Sequence, residues 1–277
     1  KYFYFFLVFW FFLILNTLIN NFNVDSLKIS FFYFRYGIFV ISIVALLSVD
    51  NKFIRYFFYS ILISFIILIL DGFYQYFNNE NIFGMTSGSK SRISSFFQDE
   101  WILGSYLSRL WPLFFGLSVI IFKNKNKLFS FLILIFILSE VLIFLSGDRT
   151  AFFYINLSTI FVIILSQKLL KLRLFILLSS IFLILIITFI NPIAKERIID
   201  QSIKQMNLNN DEEKYIFSHH HHHIYLSAYK MFLDNKIIGV GVKNFRKFCS
   251  DKKYYKNKLS CDSHPHNTYL QILVETG

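Results

Sequence analysis

The chain has 277 residues, of which 55% are hydrophobic and 20% aromatic, with only 10 Gly and 3 Pro. A water-soluble domain has no use for that much apolar side chain, and several runs approach the roughly 20 apolar residues that cross a bilayer as a helix. The formal charge of +11 raises nucleic acid as a partner, but the Lys and Arg are scattered through short loops, as in the cytoplasmic loops of membrane proteins, and nucleic acid is set aside.

Taken in chain order, seven apolar segments are predicted as helices, at 2–19, 29–49, 53–77, 101–122, 128–146, 151–166 and 174–190. The first is too long for a cleavable signal and lacks a small-residue cleavage site. The third is long enough to tilt. Because the chain starts at Lys1 and stops at Gly277 inside an apolar pattern, it reads as a fragment with sequence missing at both ends. The expected fold class is all-α: a polytopic transmembrane helix bundle over 1–190, a large outward-facing loop region over 191–267, and the first turns of a further span over 268–277.

Loop charge orients the bundle. Lys1, Lys52, Arg55, Lys123, Lys125, Lys127, Lys168, Lys171 and Arg173 fall on one side, against Lys28, Lys90, Arg92 and Arg149 on the other. The positive-inside rule makes the first set cytoplasmic. The loops around Asn23, Arg92 and Gly147–Arg149 then face outward, and alternation puts 191–267 there too, which is the periplasm in a Gram-negative cell. Four charged residues, Arg35, Asp71, Arg109 and Glu140, lie inside apolar segments and nearer their outward ends. Such residues are costly in lipid and face a bundle interior or wet cavity, or else snorkel to the interface or pair structurally. Four in the outer half point to a polar cavity open outward.

The sharpest motif is His264-Pro265-His266-Asn267, running into an apolar stretch and Glu275-Thr276-Gly277. Pro265 suits the first turn of a helix beginning there, which would leave His266 and Asn267 near its N-terminus at the membrane surface. A histidine there can serve as a general base or simply as part of a polar cap. The run His219–His223 raises metal binding or a tag; its continuation into Tyr225-Leu-Ser-Ala-Tyr favours a native stretch, and no further zinc ligands are apparent. Cys249 and Cys261 bracket a lysine-rich stretch, Lys252 to Lys258, and an even pair in an oxidising compartment invites a disulfide, with two free thiols as the alternative.

His-Pro-His-Asn followed by Glu-x-Gly resembles the hallmark of O-antigen ligases and their relatives, with His266, Asn267 and Gly277 matching the family's interval. Ser146-Gly147-Asp148-Arg149-Thr150-Ala151 resembles the family's short arginine-bearing loop. Gly239-Val240-Gly241-Val242-Lys243-Asn244-Phe245 resembles its segment within the large outward loop. Arg92 through Tyr106 is similar to an upstream arginine segment. The likeness runs over roughly the last two-thirds of the chain.

The resemblance implies a bacterial inner-membrane glycosyltransferase with its active site on the periplasmic face. It would move a glycan from a polyprenyl diphosphate carrier to a hydroxyl of lipid A core or a similar acceptor, without metal or nucleotide cofactor. His266 would take the hydroxyl proton. Arg149, Arg92, His264, Asn267 and His221 would bind the diphosphate and substrate; relatives carry an Arg or His near His221. A repeat-unit polymerase of the same superfamily and, from another class, a polysaccharide or lipid transporter are the competing functions; no internal repeat of the transporter kind is evident.

Overall fold

A computed structural model describes residues 2–20, 23–88, 92–122, 125–165, 170–208, 214–255 and 257–277. Lys1, Lys90, Lys123 and Lys168, used above for orientation, lie outside these. Among the described residues every regular element is helical. The apolar runs form α1 (Tyr2–Ile19), α2 (Val24–Phe32), α3 (Phe34–Val49), α4 (Lys52–Asn78), α5 (Leu103–Ile121), α6 (Lys125–Ser146), α7 (Arg149–Leu165) and α8 (Leu170–Ile190). Beyond them come α9 (Pro192–Lys195), a π turn at Glu196–Asp200, α10 (Gln201–Gln205), α11 (His219–Asp234), α12 (Phe245–Phe248) and α13 (Thr268–Thr276).

Two features differ from the expectation. The second apolar segment begins earlier, at Val24, because the Asn23 side chain accepts from Asp25 N–H and caps it; it then breaks at Tyr33, whose carbonyl accepts from Tyr36 N–H at 3.1 Å in a three-residue turn. Among the described residues, three stretches are long and apolar enough by themselves to cross a bilayer, Val24–Val49, Lys52–Asn78 and Leu103–Ile121. A fourth is counted if Leu174–Ile190 and Pro192–Gln205, bent by 115° against each other, are one broken span. Phe3–Ile19 and Ser130–Ser146 are shorter apolar helices.

The chain divides into two compact units, Asp50–Gln201 and Lys1–Val49 with Ser202–Gly277. In the first, α4 buries Phe58 and Phe65 against Phe114 of α5, with ring centroids 5.6 and 5.1 Å apart, and Trp111 meets Phe136 of α6 at 5.2 Å. Such pairs add about 0.5–1.5 kcal/mol each beyond area burial. On the same helix Ile63, Ile67 and Leu70 stay exposed, an arrangement that suits lipid, where packing rather than water expulsion joins helices. Gly72 supplies the close approach, since a Cβ there would come within 2.7 Å of Leu142.

The second unit has a small core of its own. Ile224, Ala228 and Met231, spaced along one face of α11, pack with Val240, Phe245, Cys249 and Val274. Gly239 (φ +71°) runs against the backbone of α13, where an added Cβ would lie 2.5 Å from the Glu275 carbonyl carbon. That contact lets Val240 N–H and Gly241 N–H donate to the carbonyls of Val274 and Glu275. The glycine-bearing segment therefore clamps the helix that follows the histidine motif.

Candidate functional site

In the Asp50–Gln201 unit, the site grows from the turn between α6 and α7. Gly147 takes the left-handed conformation (φ +67°) that closes many helices, and its N–H donates to the Phe144 carbonyl at 3.1 Å. Asp148 then caps α7: its Oδ1 accepts from Ala151 N–H at 3.0 Å, while its Oδ2 accepts from the Ser105 hydroxyl at 2.9 Å. Arg149 is the first residue of α7 and half-buried. Gly104 of α5 lets the turn sit close, as a Cβ there would be 3.0 Å from both Asp148 Cβ and Ser146 Oγ.

Two more arginines reach this turn. Arg197 lies within the π turn, and its Nε–H points to the Gly147 carbonyl at 3.4 Å. A side chain on Gly147 would collide with it, the added Cβ falling 2.4 Å from Arg197 Cδ. Arg92 stacks its guanidinium 4.0 Å over the Trp101 ring, and its Nε is buried with no hydrogen-bond partner. Burial holds Arg92 below the usual arginine range; Arg197 and Arg149 push the same way and Asp148 opposes them. Like charges gathered around one already-engaged carboxylate cost energy unless an anion offsets them, and guanidinium forks match phosphate oxygens. Arg92 also lines a cavity of about 1020 Å³, walled by Gln75, Tyr76, Asn79, Asn191 and Pro192 among others.

Arg197 was not singled out from sequence. It stands between Lys195 and Lys204, one basic residue among several, and only the bend after α8 selects it. That bend follows from Asn191, whose extended backbone and side chain cap the Ala194 N–H, and from Pro192 at the first helical position.

In the other unit, α13 starts at Thr268 rather than at Pro265, with Asn267 as its cap: the Asn267 side chain accepts from Tyr269 and Leu270 N–H at 3.0 and 3.2 Å. The reason is His266, whose positive φ of +54° cannot continue a helix. Its Nε2 lies 2.9 Å from Asp262 Oδ2. Its ring meets those of His264, His221 and His220 at 4.2, 5.6 and 6.4 Å. The histidine run thus opens α11 and touches the motif through His220 and His221. Ser218, capping α11, has its hydroxyl 2.6 Å from His221 Nδ1. His219 and His223 pair along the helix at 3.2 Å; no group of three metal-ligating side chains occurs among the described residues. His264 sits below the ordinary histidine range because of burial and then the like charge of His266. Cys249 and Cys261 are disulfide-bonded with Cα atoms 5.1 Å apart.

The four charges inside apolar segments have different surroundings. Asp71 is buried and accepts from Ile82 N–H at 2.8 Å and from the Ser95 hydroxyl. Glu140 is buried, accepting from the Ser180 hydroxyl, with its Oε2 unpartnered. Arg109 is exposed on α5, and Arg35 is exposed beside the Tyr36 ring.

The described residues thus give an all-helical protein with helices long and apolar enough to cross a membrane, a cluster of arginines in one unit and a capped histidine loop in the other. Residues 131–277 match the family model described as O-antigen ligase, and the chain belongs to that family. Arg149, His221, His264, His266 and Asn267 lie within the matched part; Arg92 lies before it. The family gives the chain an O-antigen ligase or polymerase type of function in lipopolysaccharide biosynthesis, with a lipid-linked glycan donor and a glycan acceptor, in a bacterial membrane. No curated protein and no solved structure matches the chain.

Proposed function

We propose that the protein is a ligase-type glycosyltransferase acting on the periplasmic face, transferring a glycan from a polyprenyl diphosphate carrier to a hydroxyl of lipid A core or a similar acceptor. The observation that carries this reading is the His266 loop, a carboxylate-paired histidine held at the cap of α13. The acceptor O–H loses its proton to His266 as its oxygen bonds to the anomeric carbon. The bond from that carbon to the phosphate oxygen breaks, and the electron pair leaves with the lipid diphosphate. Arg149 and Arg92, with Arg197 beside them, meet the growing charge on the leaving group. Loop charge supports the outward placement of both sets.

The test is His266→Ala, assayed for transfer from purified lipid-linked glycan to purified lipid A core. Removing a general base costs about 10²–10⁴-fold in rate, with expression, membrane insertion and donor binding kept. Transfer at the parental rate would show that the motif is only a helix cap. Cells lacking the gene separate ligase from polymerase: bare core with accumulated carrier-linked polymer supports the ligase, single repeat units on the core the polymerase.

A further inference from the structure

We propose that Asp262 is a positioning residue for His266, fixing its ring so that Nδ1 is the nitrogen that receives the acceptor proton, and that the Cys249–Cys261 bond anchors this pair. The proposal rests on the reading of His266 as the base.

Three observations converge on Asp262. Both its carboxylate oxygens are held: Oδ1 accepts from Ser263 N–H at 2.6 Å and Oδ2 lies 2.9 Å from His266 Nε2. The hydrogen bond from His266, and after it that from Ser263, keep this carboxyl below the ordinary aspartate range. An ionised carboxylate only accepts hydrogen bonds, so the proton of the contact sits on Nε2. In the neutral ring the lone pair is then on Nδ1. The carboxylate also favours the imidazolium that forms as the acceptor is deprotonated, the role such a partner plays in triad enzymes.

The second observation is the backbone. Asp262 and His266 are four residues apart, but no helix joins them: the segment between is irregular and His266 is left-handed. Helical spacing therefore does not produce the contact; the loop has to be folded to make it. The third is how that loop is held. Cys261, directly before Asp262, is bonded to Cys249, which is fully buried in the α11–α13 core. On the other side Asn267 caps α13 directly after His266. Each member of the pair thus has a fixed neighbour, and the carboxylate is tied to the core through one covalent bridge. A surface ion pair, which side-chain exposures of 33% and 36% would otherwise suggest, needs no such anchoring.

The experiment uses Asp262→Asn in the full chain, purified in nanodiscs, with two readouts. In parental protein labelled with ¹⁵N-histidine, His266, identified by loss of its signal in His266→Gln, should show Nε2 protonated with a downfield ring proton, and Asp262→Asn should lose that signal. In the transfer assay with purified lipid-linked glycan and lipid A core, kcat should fall about 10²–10⁴-fold, as when a base loses the partner that sets its tautomer, with KM for the donor unchanged. A parental downfield signal that survives Asp262→Asn, or a proton on Nδ1 instead, overturns the proposal, as does an unchanged kcat while His266→Ala is inactive. If His266→Ala is itself fully active, the base reading fails, whatever the ring proton shows.

Discussion

The arginine cluster and the histidine loop are built in opposite ways. The arginines are placed by long helices: Arg149 opens the 17-residue α7, the turn before it is braced by Ser105 and Gly104 of α5, and Arg197 arrives on the bend after α8. The histidines are placed by short pieces stitched together: a glycine segment clamped to α13, a one-residue left-handed kink, two side-chain caps and a disulfide. The first arrangement suits a fixed anion cradle. The second holds histidines on a surface loop open to solvent, and supplements the small local core with one covalent bridge.

Each contrast can be broken. On the helix-built side the largest effect is expected from Arg149→Lys, which keeps charge but loses the planar fork. Transfer should fall about 10²–10³-fold, as on loss of a preorganised donor, with thermal stability near parental. A lysine variant with parental kcat would mean that Arg149 is not part of the cradle. On the stitched side the corresponding blow is structural. Replacing Cys249 and Cys261 together with Ala should lower stability by about 3 kcal/mol in the chain-entropy model, with amide exchange rising across 245–267. Two titratable thiols in unreduced parental protein would remove the basis for that expectation.

Gly239→Ala should destabilise the same unit by about 1–3 kcal/mol, the range for a residue forced into a disfavoured conformation, because the added Cβ meets backbone rather than a movable side chain. Its mark should be faster exchange at Val240 and Gly241 N–H with the α4–α5 contacts unaffected. Equal protection in variant and parent would show that the clamp is loose. The smallest effect is expected from pH. His264 is held below its ordinary value by burial, then by His266, against the pull of Asp262 and with Lys243 adding to the repulsion. The unfolded chain therefore binds this proton more readily. Stability is full above the ordinary histidine value of about 6.5 and is lost as pH falls through the lower folded value. Amide exchange at 262–270 should rise over that interval in the parent and less so in His264→Gln.

The helices were legible in the sequence because composition alone decides them: runs such as Phe57-Phe58-Tyr59-Ser60-Ile61-Leu62-Ile63 have no stable home in water. Their limits were less so. Nothing in the residue types near Tyr33 announces a break, since aromatic residues flank it on both sides, and lipid spans tolerate either geometry. In the site, His266 and Arg149 stood out because each sits in a short motif at the entry to an apolar run, His-Pro-His-Asn and Ser-Gly-Asp-Arg-Thr-Ala. Asp262 did not, because a carboxylate in a polar loop has no distinguishing pattern until the positive φ of His266 folds the ring back onto it. Arg197 was hidden by equally charged neighbours. The apolar run from 268 marks the start of α13; Pro265, which also suits a first turn, lies three residues before it.

The five-residue π turn at Glu196–Asp200 carries a constraint of a different kind. A π turn is an α-helix with one residue too many. Because the wide turn absorbs that extra residue locally, deleting any one of the five would restore ordinary winding and leave the chain beyond on nearly the same heading, while changing which side chains the turn itself presents. Substitutions there should be tolerated at most positions, whereas a one-codon deletion should move Arg197 off the Gly147 carbonyl while leaving the segment beyond Gln201 in place.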